Sequence, residues 1–295
     1  MAFKDSASDI VISDKGELLH KSFNRLTGTI QSTETKIVAS DAASNDQFGF
    51  SVAVGSGRIV VGASRDDSLA GSNSGSAYIF DLDGTQIAKI VASDADGGDF
   101  FGFSVAVGSG RIVVGAYKAG GGHAYIFDLD GTQIAIIEGT GLQTGDQFGA
   151  GVAVGSGRIV VGADADDGLA GSAYIFDLDG TQLTRIKASD AAAGDLFGRS
   201  VAVGSGRIVV GGHPPYGATG SGSAYIFDLD GTQLAKIVSS DAANADHFGV
   251  SLAIGSGRIV VGADFDDDTA TDSGSAYIYD LDENFDTYIE RQLGY

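Results

Sequence analysis

The chain has 295 residues, 39 acidic against 18 basic, a formal charge of −21 and no cysteine. Such a surface repels phosphate backbones and anionic bilayers, and the missing thiols remove disulfides and thiolate metal centres. No apolar run approaches a membrane span and the first residues lack a basic-then-apolar leader, which predicts a soluble chain without membrane insertion or conventional secretion.

Residues 1–35 stand apart, being nearly balanced in charge and free of the pattern that follows. Ile10–Ser13, the turn Asp14-Lys15-Gly16 and Glu17–Leu19 predict a small hairpin, since glycine supplies the positive φ of such a turn. A lone hairpin is marginal in water, so this arm is expected to dock on something larger. Asn24 to Thr35 reads as a polar linker.

From residue 36 one unit occurs five times at a period of about 50 residues, the length of a four-stranded propeller blade. Its anchors are the pairs Phe48-Gly49, Phe101-Gly102, Phe148-Gly149, Phe197-Gly198 and Phe248-Gly249. In the first copy Phe50–Val54, Arg58–Ala63, Ser76–Asp81 and Gln86–Ala92 read as inner, second, third and outer strands. The prediction is an all-β chain: a five-bladed β-propeller of four-stranded antiparallel blades over 36–295, with a short N-terminal arm. The units are placed at about 41–93, 94–140, 141–189, 190–240 and 241–293. Lys36 to Asp41 repeats Lys89 to Asp94 word for word, so it is expected to serve the last blade as a closing outer strand, with Thr287 to Leu293 as competitor.

Two connections per unit barely change, Gly55-Ser56-Gly57 and Asp81-Leu82-Asp83-Gly84, and strand alternation puts both on one face. Arg58, Arg111, Arg158, Arg207 and Arg258 follow the first of them and are expected to tie neighbouring hairpins together by Arg–Asp contacts. The tyrosines Tyr78, Tyr125, Tyr174, Tyr225 and Tyr277 are expected in the packing between blades. The loops on the opposite face vary, and variation on a rigid scaffold marks a binding surface. There Tyr117, Lys118, His123, His213, Pro214, Pro215, Tyr216 and Phe265 depart from the repeat and are the ligand-face candidates.

These units resemble FG-GAP repeats, those of integrin α-chain propellers and the bacterial type, in Phe48-Gly49, Val60-Val61-Gly62-Ala63, Gly75-Ser76-Ala77-Tyr78 and their counterparts. The resemblance implies a propeller and a range of adhesion, lectin and structural roles. Integrin-type repeats carry an Asp-rich calcium loop between the first two strands; Gly55-Ser56-Gly57 has no carboxylate, so that site is not carried over. Carboxylates crowd the variable loops instead. Asp164, Asp166, Asp167 and Asp264, Asp266, Asp267, Asp268 have the composition of a calcium loop without its full spacing, and calcium is the one cofactor left open. Aspartates ahead of each Phe-Gly pair, such as Asp41 with Asp46, are expected to hold turns through backbone N–H groups; the third unit has Gly141 at the first position.

Near-identical blades build symmetry where catalysis needs asymmetry, and the four histidines and five glutamates are scattered, so no enzyme is expected. The expected function is a structural and attachment propeller on the surface of a bacterial virus particle. Residues 1–35 and the C-terminal tail would dock it on other proteins, with the variable loops outward. The alternative is a multivalent carbohydrate-binding or cell-adhesion propeller, extracellular or at the cell surface, which would use calcium or not.

Overall fold

The computed structural model describes residues 34–281, apart from residues 69, 216–218 and 268–269, together with Val11–Ile12 and Leu18–Leu19. The chain divides into two compact units, Met1–Lys36 and Ile37–Tyr295. In the first, Val11 pairs with Leu19 and Ile12 with Leu18, antiparallel, which is the hairpin the Asp14-Lys15-Gly16 turn predicts.

The second unit is a series of antiparallel sheets, each built from strands consecutive in sequence. Blade 1 comprises Ser51–Gly55, Arg58–Ala63, Ser76–Phe80 and Gln86–Ile90. Blade 2 runs from Ser104–Gly108 to Gln133–Ile137, blade 3 from Phe148–Gly155 to Gln182–Ile186, and blade 4 from Ser200–Gly204 to Gln233–Ile237, each with four strands. Blade 5 has Ser251–Gly255, Arg258–Ala263 and Ser275–Asp280 among the described residues; the place of its outer strand falls outside them. One distorted helical turn, Asp166–Leu169, interrupts the β-structure. These are five blades of the propeller type, and short branched residues make them: Val and Ile fit a pleat, and both faces of each interior sheet are covered.

The core lies between blades. Val60, Ala77, Ile79 and Ile90 of blade 1 meet Ile112, Val114, Tyr125 and Phe127 of blade 2, and the same set recurs at the next three junctions. The second to fifth Phe-Gly pairs each lock such a junction. Phe101, wholly buried, stands edge-on to Tyr125 at 5.2 Å and to Phe127 at 5.9 Å, the arrangement the ring quadrupoles favour. Gly102 lets its backbone approach the preceding blade, where the Ser51 hydroxyl donates to its carbonyl at 2.8 Å. Ser104 and Ser200 donate in the same way to Gly149 and Gly249.

The expected turn chemistry is present on the constant face. Asp81 accepts from the N–H groups of Asp83 and Thr85, and Asp128, Asp177 and Asp228 repeat the arrangement. Arg58 donates through Nε to the Leu129 carbonyl of the next blade at 3.0 Å and through a terminal nitrogen to Asp130 at 3.3 Å. Arg111 and Arg158 reach Leu178 with Asp179 and Leu229 with Asp230 likewise. These aspartates are largely solvated, so each tie contributes about 0.2–1 kcal/mol and serves alignment more than stability.

The two end blades differ from the interior ones. Val52 and Val54 of blade 1 are 69% and 71% exposed and Ile278 of blade 5 is 68% exposed, whereas Ile79, Ile126, Ile175 and Ile226, the counterparts of Ile278, are wholly buried. The stretch Lys36–Asp41 is not a strand paired with blade 5. From Ile37 onward it repeats the connector that follows each outer strand: Ile37 and Ala39 pack on Val61, Tyr78 and Phe80 as Ile90 and Ala92 pack on blade 2, and Ser40 exchanges hydrogen bonds with Gln86 as Ser93 does with Gln133. The competing run Thr287 to Leu293 lies outside the described residues.

Candidate functional site

Two positions in each blade vary while the frame around them does not. One is the residue after the Phe-Gly pair: Phe50, Phe103, Ala150, Arg199, Val250. The other is the first residue beyond the second strand: Ser64, Tyr117, Asp164, His213, Asp264. Antiparallel pairing sets the start of the inner strand beside the end of the second, since Ser51 pairs with Gly62 and Ser104 with Gly115, so both positions sit at one end of the blade.

In blades 1 and 2 this end is aromatic. The Phe103 ring lies 4.3 Å from Tyr117 and 5.0 Å from Phe50, and Phe100 lies 5.8 Å from Tyr117. The exposed Lys118 ammonium stands over Phe100 at 5.0 Å and Tyr117 at 5.5 Å, within cation–π range. Phe50 is half exposed. Tyr117 and Lys118 were predicted for this face; Phe50, Phe100 and Phe103, which make the patch, were not.

In blades 3 to 5 the same end carries aspartate, arginine and histidine side chains. Asp164, 1% exposed, accepts from Arg199 at 2.9 Å through one oxygen, while its other oxygen is buried without a partner. The rings of His213 and His247 lie 4.7 Å apart, His247 contacts Phe265 at 4.6 Å, and its Nδ1 is 3.2 Å from Asp264. His213 is buried and its Nδ1–H donates to the Pro214 carbonyl at 3.0 Å, leaving a buried Nε2 with no partner.

Burial depresses the His213 pKa below its ordinary 6.5, with the neighbouring His247 and Arg199 acting in the same direction, against the Pro214 carbonyl and Asp264. A depressed histidine contributes stability that is complete above the unfolded value and is lost as pH falls through the folded one. The melting temperature is therefore expected to fall as the pH drops below the ordinary histidine value of 6.5, and the fall to shrink in His213→Gln; equal slopes in a pH series of thermal melts would contradict this.

Other predicted residues serve the frame. His123 begins the third strand of blade 2, at the place of Ser76 in blade 1, and contacts Tyr125 at 3.3 Å and Glu138 at 3.1 Å rather than joining the aromatic patch. His213 and Pro214 are buried, which corrects their expected role as contact residues; Pro215 is exposed and Tyr216 lies outside the described residues. Asp166 accepts from Tyr174 at 3.0 Å and pairs with Arg185 at 2.5 Å, and Asp167 pairs with Arg185 at 2.7 Å and with Lys187. Asp266 is buried and accepts from the Tyr277 hydroxyl, Asp267 is exposed, and Asp268 lies outside the described residues. A calcium ion at the Asp164–Asp167 loop would have to displace three basic side chains. Among the described residues no three His, Asp or Glu side chains come together as a metal-binding group.

The aspartates ahead of the Phe-Gly pairs hold turns as expected. Asp46, Asp99, Asp146, Asp195 and Asp246 each accept from the backbone N–H three residues earlier, at 2.5–2.8 Å. Asp41 instead takes the Tyr78 hydroxyl at 2.8 Å and Lys89 at 2.5 Å, and Lys89 holds its carboxyl below the usual carboxylate range.

The profile of the family described as FG-GAP repeat matches the chain five times, at residues 32–80, 85–127, 132–176, 181–227 and 232–279. No curated protein matches it.

Proposed function

Since the chain belongs to the FG-GAP repeat family, a family of propeller repeats, we propose that it is a non-catalytic binding module that attaches through the variable end of its blades. The observation that supports this reading most is the aromatic–cationic patch of Phe50, Phe100, Phe103, Tyr117 and Lys118, rigid rings on a packed frame. Rings held by packing lose little entropy when they meet a partner, so contact area converts efficiently into affinity. In its finer form the proposal is an attachment protein on the surface of a bacterial virus particle, docked on other proteins of the assembly through residues 1–35 and the C-terminal tail. Light scattering on the full chain and on a chain lacking residues 1–35 tests that docking: assembly of the first and a monomeric second support it, and two monomers overturn it.

A second reading, a carbohydrate-binding module, is favoured by the same rings, because an apolar sugar face stacks on an aromatic with a cation beside it. A glycan array in calcium buffer and in chelator separates the two readings. For whichever partner is found, Phe103→Ala and Tyr117→Ala are each expected to weaken binding roughly 10- to 100-fold, as central aromatic contacts do, with unchanged melting temperature within a few degrees. Unchanged affinity in both variants would remove the patch from the binding surface.

A further inference from the structure

The five variable loops begin in register, and the third residue after each second strand is Asp66, Ala119, Asp166, Pro215 and Asp266. In blade 1 the Asp66 carboxylate is buried between the Ser76 hydroxyl and the Lys89 ammonium, 2.6 Å away. In blade 3 Asp166 meets Tyr174 and Arg185, the residue at the place of Lys89. Blade 2 has lost both charges together, with Ala119 for the carboxylate and Ile136 for the cation. Blade 4 has lost only one. Lys236 is retained and pairs with Asp190 at 2.6 Å, while Pro215 is exposed and supplies no acceptor.

What the lost carboxylate leaves is space. A cavity of about 230 Å³ opens there, lined by Lys236, Tyr225, Ser223, Asp190, Gly222 and Pro214. Ser223 is the counterpart of the Ser76 donor, Tyr225 of Tyr78 and Lys236 of Lys89. Blade 1 further shows that this geometry holds two carboxylates around one ammonium, since Lys89 contacts Asp41 and Asp66 at once. Asp195 also lines the cavity, with its carboxylate on the Ala192 N–H at 2.8 Å as Asp46 is on that of Ala43 in blade 1, so a second anion on Lys236 beside Asp190 repeats the charge count that blade 1 already holds despite the acidity of the whole chain.

We propose that the blade 4 cavity binds the carboxylate of an external ligand, in the place that Asp66 and Asp166 fill in blades 1 and 3. The ammonium of Lys236, shared with Asp190, and the hydroxyl of Ser223 receive it, while the Tyr225 hydroxyl donates to Asp190 at 2.9 Å and holds that carboxylate aside; the size of the cavity admits a small organic acid or one carboxylate-bearing side chain of a peptide. The site is independent of the aromatic patch and of the attachment reading.

Titration calorimetry and thermal shift with acetate, and with N-acetyl-aspartate amide, at constant ionic strength set by chloride, test it. Saturable binding in the millimolar range is expected, with no counterpart in chloride alone. Two variants guard the result: Lys236→Met removes the cation, and Pro215→Asp restores the internal carboxylate. Both are expected to weaken binding at least tenfold, and Pro215→Asp to raise the melting temperature of the unliganded protein. Preference for the aspartate derivative assigns the site to a peptide side chain, and preference for acetate to a free acid. Absence of carboxylate-specific binding by the folded protein, or undiminished binding in both variants, overturns the proposal.

Discussion

Gly162→Ala is expected to destabilise the blade array by about 3 kcal/mol and to lower its melting temperature by roughly 6–10 °C. A Cβ at this position would lie 1.8 Å from the carbonyl oxygen of Gly198 and 2.7 Å from its carbon, both backbone atoms of the next blade. Neither can rotate away, so blades 3 and 4 must separate along their shared edge. The backbone of Gly162 does not need glycine for its own conformation, and the whole effect is one of approach. Gly157→Ala is the matching control: its φ of +75 is left-handed, but nothing lies within 4 Å of the added carbon, so only the conformational cost of about 1–2 kcal/mol applies. Equal losses in chemical denaturation of the two variants would show that close approach is not what the glycines in the second strands provide.

Phe148→Ala is expected to cost about 3–5 kcal/mol, the range for truncating a buried aromatic. The ring is wholly buried and stands edge-on to Tyr174 at 5.4 Å and Phe176 at 6.0 Å. Its removal opens a void between blades 2 and 3 that fixed backbones cannot close. The equivalent ring in blade 1, Phe48, is only partly buried, although its contacts to Tyr78 and Phe80 have nearly the same geometry. Phe48→Ala is therefore expected to cost less than half as much. Urea titrations of both variants compare them directly, and equal costs would mean that blade 1 holds its ring as tightly as the interior junctions hold theirs.

The frame was legible because it is repeated. Period, glycine turns, Asp-Leu-Asp hairpins and the turn arginines are each written five times, so a reading wrong in one copy is corrected by the next; Arg58, Arg111 and Arg158 make the expected ties to the next blade, whereas Arg258 pairs with Asp280 of its own blade. The strand boundaries differ from those observed by one or two residues, at ends where pairing frays. The site was legible only in part, because it is made where the repeat fails. Tyr117 and Lys118 stood out because they lie in a loop already read as variable, whereas Phe50 and Phe103 sit between the constant Phe-Gly pair and the inner strand and were read as part of that strand. The sequence Phe, Phe, Ala, Arg, Val at that position, beside an unchanging inner strand, is the signal that would have found them. His213 illustrates the opposite error: a polar residue in a variable loop reads as surface, yet the fold buries it against His247. Burial follows from which blades meet, and a single loop carries no record of its neighbour.

The exposed Val52, Val54 and Ile278 stand at positions that the interior junctions cover, partly for the valines and wholly for the isoleucine. Because all junctions use one set of contacts, a duplicated or deleted unit would meet its neighbours through surfaces already selected to fit. The number of blades can then change in one genetic event, without a compensating substitution at any interface, while the two variable positions at the end of each unit remain free to diverge. A lineage built this way explores ligands and sizes independently, and sets of relatives with different repeat counts would share the junction residues while differing after the Phe-Gly pair.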